Sequence, residues 1–161
     1  MSVSKLDKYL WNFLLTLASL AVLAMMCIIA FNIFGRTLFD KPILGAIEWS
    51  GLAGVVFAAV ALPYSTRERN NVVVEIIAER FPPRVRACVD AFTFLISLAG
   101  LGFLLYGSFD EAFYSASFNE STIVTYTPMS PFKFIWAIGL TVLTLVVLAH
   151  TIKYAKKGVK G

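Results

Sequence analysis

The sequence predicts an all-α membrane protein with four transmembrane helices and a short amphipathic interfacial helix between spans 2 and 3. Two observations carry this prediction. Of the 161 residues, 58% are hydrophobic and only 15% are charged, whereas soluble domains average about 45–50% and about 25%. Four runs without Asp, Glu, Lys or Arg also divide the chain, at residues 10–35, 49–66, 91–109 and 134–152. We therefore treat residues 1–161 as a single integral membrane domain.

Each run has close to the length that a transmembrane helix needs, roughly 20 residues for a hydrocarbon core about 30 Å thick. The first run follows Lys5 and Lys8, as in a signal peptide, but it is much longer than the apolar core of about 7–15 residues in such segments. The second run is short and must borrow flanking residues. Buried helices of a soluble bundle, the alternative, would show polar faces with helical period, and these runs have almost none.

The distribution of basic residues predicts the orientation. Eleven of the 14 Lys and Arg residues lie in the N-terminal segment, in the connection between spans 2 and 3, or in the C-terminal tail. Only Arg36, Lys41 and Lys133 lie on the other side. The positive-inside rule therefore places both termini in the cytoplasm. Because the cations serve as topology signals, the net charge of +4 does not predict a nucleic-acid partner.

The connection between spans 2 and 3 contains an amphipathic pattern at residues 71–81. The apolar residues that share one helical face are Val73, Ile76, Ile77 and Phe81. Pro82 and Pro83 then end the helix, because proline lacks an amide donor and restricts the residue before it. The neighbouring cations, which can meet anionic headgroups of membrane lipids, are Arg80, Arg84 and Arg86. Three consecutive valines leave a short strand as the alternative.

No pattern in the sequence indicates catalysis. A single His and two separated Cys residues cannot form a structural zinc site, and no nucleophile–base pair or phosphate-binding loop occurs. We therefore expect neither enzymatic activity nor a cofactor. The four runs contain no Asp, Glu, Lys or Arg of the kind that usually marks a coupled ion pathway, and we interpret His150, near the cytoplasmic end of the fourth run, as an interfacial residue.

Two features indicate packing between helices. Small residues follow one face of span 2 at Gly51, Gly54, Ala58 and Ala61, and such residues let membrane helices approach closely. The partner of this face is either another helix of the same chain or a second membrane protein. Arg36 and Glu48 bracket the connection between spans 1 and 2, which predicts an ion pair between them. The loop between spans 3 and 4 is either solvated or a docking surface.

The order of short motifs along the chain is the basis of a family resemblance. Span 1 ends in Phe34-Gly35-Arg36, a hairpin leads to Ile47-Glu48-Trp49, and span 2 ends in the residues STRERNNV at 65–72. Phe81-Pro82-Pro83 follows, and Thr127-Pro128 precedes span 4. This order resembles the small membrane subunit, DctQ-type, of tripartite ATP-independent periplasmic (TRAP) transporters. Ile47 and Asn70-Asn71 depart from it, because family members often have a second acidic residue and a histidine there.

The resemblance implies a non-catalytic subunit of the cell inner membrane. A periplasmic solute-binding protein would deliver a carboxylate-bearing solute, and a large membrane subunit would transport it together with sodium. The small subunit would scaffold the large one. The competing interpretation is a small self-contained four-span transporter or channel that acts as an oligomer. A four-span membrane enzyme or assembly factor would need a polar catalytic cluster that the sequence does not show.

Overall fold

The computed structural model describes residues 5–67 and 83–158. It contains four helices: α1 (Lys5–Phe39), α2 (Ala46–Arg67), α3 (Pro83–Ser117) and α4 (Ser130–Gly158). All four are long and apolar enough to cross a membrane, so the predicted four-span fold is confirmed. The predicted interfacial helix at residues 71–81 lies outside the described residues.

The helices extend beyond the uncharged runs that predicted them. α1 and α3 each contain 35 residues, which corresponds to about 52 Å at about 1.5 Å per residue. This length exceeds a hydrocarbon core of about 30 Å. A charged residue therefore ends an uncharged run without ending the helix. Arg36, for example, follows the first run and lies in the last turn of α1.

The four helices form an open row in the order α1, α2, α4, α3. α1 packs against α2, α2 packs against α4, and α4 packs against α3. Among the described residues, α1 and α3 share no comparable contact. The two central helices bury 22% and 17% of their apolar windows and the two end helices only 6% each, so each end helix leaves most of its surface uncovered.

α2 and α4 begin at the same end of the row, because Glu48 in the first turn of α2 bonds to the segment that leads into α4. We call this end, with residues 40–45 and 118–129, the loop end. The opposite end, where α1 begins and α4 finishes, is the termini end. The described chain therefore starts and finishes on the same side of the row.

The connection between α1 and α2 is tied back onto α1. Asp40 has a φ of 49° and ends the helix, and the Lys41 amide donates a hydrogen bond to the Gly35 carbonyl at 3.0 Å. The Asn32 side-chain oxygen accepts a hydrogen bond from the Ile43 amide at 2.9 Å. A polar side chain of the first span thus holds the loop that starts the second.

Candidate functional site at the loop end

Glu48 is the centre of the polar contacts at the loop end. Its carboxylate accepts hydrogen bonds from the Val124 amide at 2.8 Å and from the Thr125 amide at 2.9 Å. The Thr125 hydroxyl donates a third bond at 2.8 Å. An ionised carboxylate has only acceptor sites, so three donors aimed at it form a matched arrangement. Glu48 fastens the α3–α4 loop to the start of α2.

The α3–α4 loop is compact because its backbone groups bond to one another. The Thr122 amide donates to the Thr127 carbonyl at 3.0 Å, and the Met129 amide donates to the Glu120 carbonyl at 2.9 Å. Ser121 and Pro128 face each other as an antiparallel bridge. Tyr126 has a φ of 52°, a left-handed conformation that turns the chain at the tip of the loop.

Three threonine hydroxyls surround the Glu48 contact. The Thr125 hydroxyl oxygen lies 2.7 Å from that of Thr122 and 3.0 Å from that of Thr127. A hydroxyl carries a single hydrogen, and that of Thr125 points to Glu48. Thr122 and Thr127 must therefore donate to Thr125. The Thr122 oxygen in turn accepts the Thr127 amide at 3.0 Å, which closes the network.

Gly45 permits this loop to approach α2. Its φ is +79°, which glycine adopts at little cost because it has no Cβ. A Cβ at this position would lie 2.1 Å from the Thr125 Cγ2 atom. The contact therefore requires glycine for both its backbone conformation and its lack of a side chain.

The structure does not bring Arg36 and Glu48 into the predicted ion pair. Glu48 is instead bonded to Val124 and Thr125, and these donors supply both carboxylate oxygens with partners. Arg36 is exposed in the last turn of α1. The sequence interpretation missed this arrangement because it paired the two charges that bracket the α1–α2 connection, whereas Glu48 bonds to residues more than 70 positions away.

Lys133 makes both ion pairs found among the described residues. Its ammonium lies 2.7 Å from a carboxylate oxygen of Glu111 in α3 and also contacts Glu120 in the loop. The bond to Lys133 holds the pKa of Glu120 below its usual range. The fully buried Ser115 hydroxyl lies near this carboxylate without a hydrogen bond of normal geometry. Lys133 thus joins α3, the loop and α4.

Three of the four small residues of span 2, Gly51, Gly54 and Ala58, line one groove next to α4. A Cβ on Gly54 would lie 3.5 Å from the Met25 Cε atom in α1, while one on Gly51 would meet nothing within 4 Å. The fourth, Ala61, lines a groove next to α1.

The closest helix contact lies at another position, between α2 and α4. A Cβ on Gly139 would lie 2.4 Å from the Ala59 carbonyl oxygen. Ala59 is buried, and it was not part of the predicted packing face. The packing face at Gly51, Gly54, Ala58 and Ala61 stays a prediction, and the contact of Ala59 with Gly139 is separate from it.

Aromatic and basic side chains meet at the termini end. The rings of Trp11 in α1 and Tyr64 in α2 have centroids 6.2 Å apart. The Arg67 guanidinium carbon lies 4.6 Å from the centroid of the Trp11 ring, within the range of a cation–π contact. This cluster joins the first turns of α1 to the last turn of α2.

No group of three His, Cys, Asp or Glu side chains that could hold a metal ion occurs in the part of the chain that the structure describes. Glu48 is bonded to the α3–α4 loop, and Lys133 is bonded to Glu111 and Glu120. These contacts hold helices and loops together.

The family comparison covers most of the chain. The family model for tripartite ATP-independent periplasmic transporters, DctQ component, matches residues 25–157. The matched range begins within α1 and takes in the whole of the loop end described above. A search of curated proteins found no match. The chain therefore belongs to the DctQ family, the small membrane component of TRAP transporters.

Proposed function

We propose that this chain is the non-catalytic scaffold of a sodium-coupled TRAP transporter, where it supports the large membrane subunit during uptake of a carboxylate-bearing solute delivered by a periplasmic binding protein. It would reside in the cell inner membrane with both termini in the cytoplasm. The observation that carries this proposal is the open row of helices, in which α1 and α3 each pack closely against one other helix among the described residues.

An open row suits a subunit that assembles with a second membrane protein. Lipid chains are as apolar as the helices, so membrane helices associate by close packing rather than by the hydrophobic effect. A row with two uncovered end helices can add further helices at either end without rearrangement. The polar contacts at the loop end would hold the row together while a neighbouring subunit moves.

α3 carries the features expected of the face that contacts the large subunit. Gly100 and Gly107 are exposed, and a Cβ at either would meet nothing within 4 Å. They are seven residues apart and therefore share one side of the helix. Glycine in a helix costs about 1 kcal/mol relative to alanine, and α3 makes no use of these two in contacts with the described residues. A closely packed partner helix would offset that cost.

The distribution of charge favours the role of a scaffold and not that of an independent transporter. The four runs that predicted the spans contain no Asp, Glu, Lys or Arg. Two ionisable groups at the loop end, Glu48 and Lys133, are bonded to the chain's own loop and helices. A coupled ion pathway usually needs such a group facing the bundle interior or a water-filled cavity.

Co-purification tests the scaffold role and its proposed face together. The tagged chain would be co-expressed with the large subunit encoded in the same genome neighbourhood. We expect wild-type chain to capture that subunit, and Gly100→Leu combined with Gly107→Leu to capture severalfold less, because leucine prevents close approach.

Gly102→Leu is the matched control for this experiment. Gly102 is on the same helix and is equally open, but it is displaced by about 200° from Gly100 at about 100° per residue. If the double variant captures a normal amount of the large subunit, or if Gly102→Leu reduces capture equally, the face of Gly100 and Gly107 is not the contact surface. Failure of the wild-type chain to capture the large subunit would exclude the scaffold role.

Reconstitution separates a scaffold from a self-contained transporter. Vesicles that hold this chain without partners would be tested for uptake of a panel of organic acids under a sodium gradient. We expect uptake only when the large subunit and the binding protein are added. Sodium-driven uptake by the isolated chain would overturn the proposal in favour of an independent transporter.

A further inference from the structure

An apolar groove runs between α1 and α2 toward the termini end. Its volume is about 430 Å³, and its walls come from both helices: Leu15, Ala18, Val22, Phe57, Val60 and Tyr64. Ala18 at its base is buried, while Leu15 and Phe57 at its edge are exposed. The groove is therefore an open cleft between α1 and α2.

The end of this groove carries a positive charge. Tyr64 lines the groove and lies beside Trp11, with ring centroids 6.2 Å apart. The Arg67 guanidinium lies over the Trp11 ring at 4.6 Å. No carboxylate forms an ion pair with Arg67 among the described residues. Stacking occupies the face of a guanidinium and leaves the N–H groups on its edge able to donate.

We propose that this groove binds an anionic phospholipid, with an acyl chain between α1 and α2 and the phosphate on Arg67. The groove and the cation have the same order along the membrane normal as the chain and the headgroup of a lipid. Phe57 and Arg67 are ten residues apart, about 15 Å along a helix, which is half of a hydrocarbon core about 30 Å thick.

The chemistry of Arg67 determines the class of lipid. A guanidinium binds phosphate through two parallel N–H bonds, and contact with Trp11 fixes its orientation. Basic pockets between transmembrane helices on the cytoplasmic side bind anionic headgroups, and Trp and Tyr favour the headgroup level. A zwitterionic lipid adds an ammonium group beside Arg67, so the site selects a net negative headgroup. This inference rests on the proposed cytoplasmic location of the termini end.

Fluorescence quenching by brominated lipid tests the site. Trp49→Phe combined with Trp136→Phe leaves Trp11 as the only tryptophan. The protein would be placed in phosphatidylcholine vesicles that contain brominated-chain phosphatidylglycerol or brominated-chain phosphatidylcholine at equal mole fraction. We expect phosphatidylglycerol to be bound about fivefold more tightly near Trp11, the ratio that corresponds to about 1 kcal/mol for one basic residue.

Two substitutions in this single-tryptophan protein distinguish a specific lipid site from non-specific attraction of anionic lipid to surface cations. Arg67→Gln should abolish the preference for phosphatidylglycerol, and Arg36→Gln, which removes a cation at the loop end, should keep it. Equal quenching by the two lipids with Arg67 present, or an unchanged preference in the Arg67→Gln variant, would overturn the proposal.

Native mass spectrometry provides a measurement that keeps all three tryptophans. Otherwise wild-type protein in detergent would be mixed with equal amounts of phosphatidylglycerol and phosphatidylcholine. We expect retained phosphatidylglycerol to fall in Arg67→Gln and also in Ala61→Leu, which narrows the groove without removing the cation. If both variants retain as much phosphatidylglycerol as the wild type, the groove is not the binding site. These measurements need no large subunit. If the wild-type chain shows no preference for phosphatidylglycerol but still co-purifies with the large subunit, this inference is refuted and the scaffold role stands.

Discussion

The Glu48 carboxylate accepts both the backbone amide and the hydroxyl of Thr125, a residue 77 positions later in the chain. This contact joins the first turn of α2 to the loop that starts α4, and it lies beside Gly45, where the α1–α2 connection ends. Both loops of the described chain therefore meet at one carboxylate. The order of the central helices α2 and α4 is fixed at this point as well as along their packed faces.

Replacing Glu48 by alanine should release the α3–α4 loop. The Val124 and Thr125 amides would lose their acceptor, and unsatisfied donors favour local opening of the backbone. We expect a lower temperature of thermal unfolding in detergent and severalfold faster proteolytic cleavage within residues 118–129. Glu48→Gln should have a smaller effect, because an amide keeps one acceptor oxygen.

Arg36→Gln is the control for the Glu48 variants. Arg36 has no ion pair with Glu48 in the structure, so its loss should leave the cleavage rate of the loop unchanged. An equal increase in cleavage with Arg36→Gln would indicate that the ion pair predicted from the sequence forms in the membrane.

The fold could be predicted from the sequence because each transmembrane helix corresponds to a long run of uncharged residues. Runs such as 10–35 and 134–152 need only a count of uncharged residues, and lipid requires that backbone groups bond within each helix. The neighbour relations could not be predicted, since apolar faces against lipid and against another helix have the same composition. That α2 packs on α4 depends on particular contacts such as Ala59 with Gly139.

Gly139→Ala should destabilise the pair of central helices. A Cβ at this position would overlap the backbone of Ala59, and overpacking typically costs about 1–3 kcal/mol. The temperature of thermal unfolding of the purified chain measures this effect. Gly51→Ala is the matched control, because its Cβ would meet nothing within 4 Å and alanine favours a helix. Similar unfolding temperatures for the two variants would show that α2 and α4 are not closely packed at Gly139.

Gly45→Ala should disrupt the loop end more strongly than a glycine replacement inside a helix. Its φ of +79° costs an L-residue about 1–2 kcal/mol, and the added Cβ would collide with the Thr125 methyl group. We expect cleavage of the α3–α4 loop to accelerate as in Glu48→Ala. Gly102→Ala in α3, which meets no neighbour, should leave cleavage unchanged. Wild-type cleavage in Gly45→Ala would contradict the close approach of Thr125 to Gly45.

The site could be predicted only in part because its contacts join distant segments. Glu48 stood out as an acidic residue at the edge of a span, but the pattern gave no reason to connect it with Thr125. Lys133 was counted only as a cation of the outer side, although it contacts both Glu111 and Glu120. The threonines at 122, 125 and 127 lie within six residues of one another, and this clustering is a signal that could have indicated a shared polar network.

Acidification should weaken the contact between Lys133 and the α3–α4 loop. The folded protein holds the pKa of Glu120 below its usual value, so its contribution to stability is complete above the usual carboxyl range, about pH 4.3. That contribution is lost as the pH falls through the lowered pKa. The temperature of thermal unfolding, measured from pH 7 downward, should fall less steeply for Glu120→Gln than for wild type. Identical pH profiles would show that Glu120 is not held by Lys133.

Cysteine labelling tests the proposed orientation of the whole row. The structure places Ile123 in the loop between α3 and α4, with 87% of its surface exposed, and position 157 near the far end of α4. With Cys27 and Cys88 replaced by alanine, Ile123→Cys and Lys157→Cys each supply one thiol at opposite ends. If the basic termini end faces the cytoplasm, a membrane-impermeant maleimide should label intact spheroplasts of the Ile123→Cys strain at once and those of the Lys157→Cys strain only after lysis. Labelling of position 157 in intact spheroplasts would show that the orientation is the opposite of the proposed one. The proposed lipid groove would then lie in the outer leaflet.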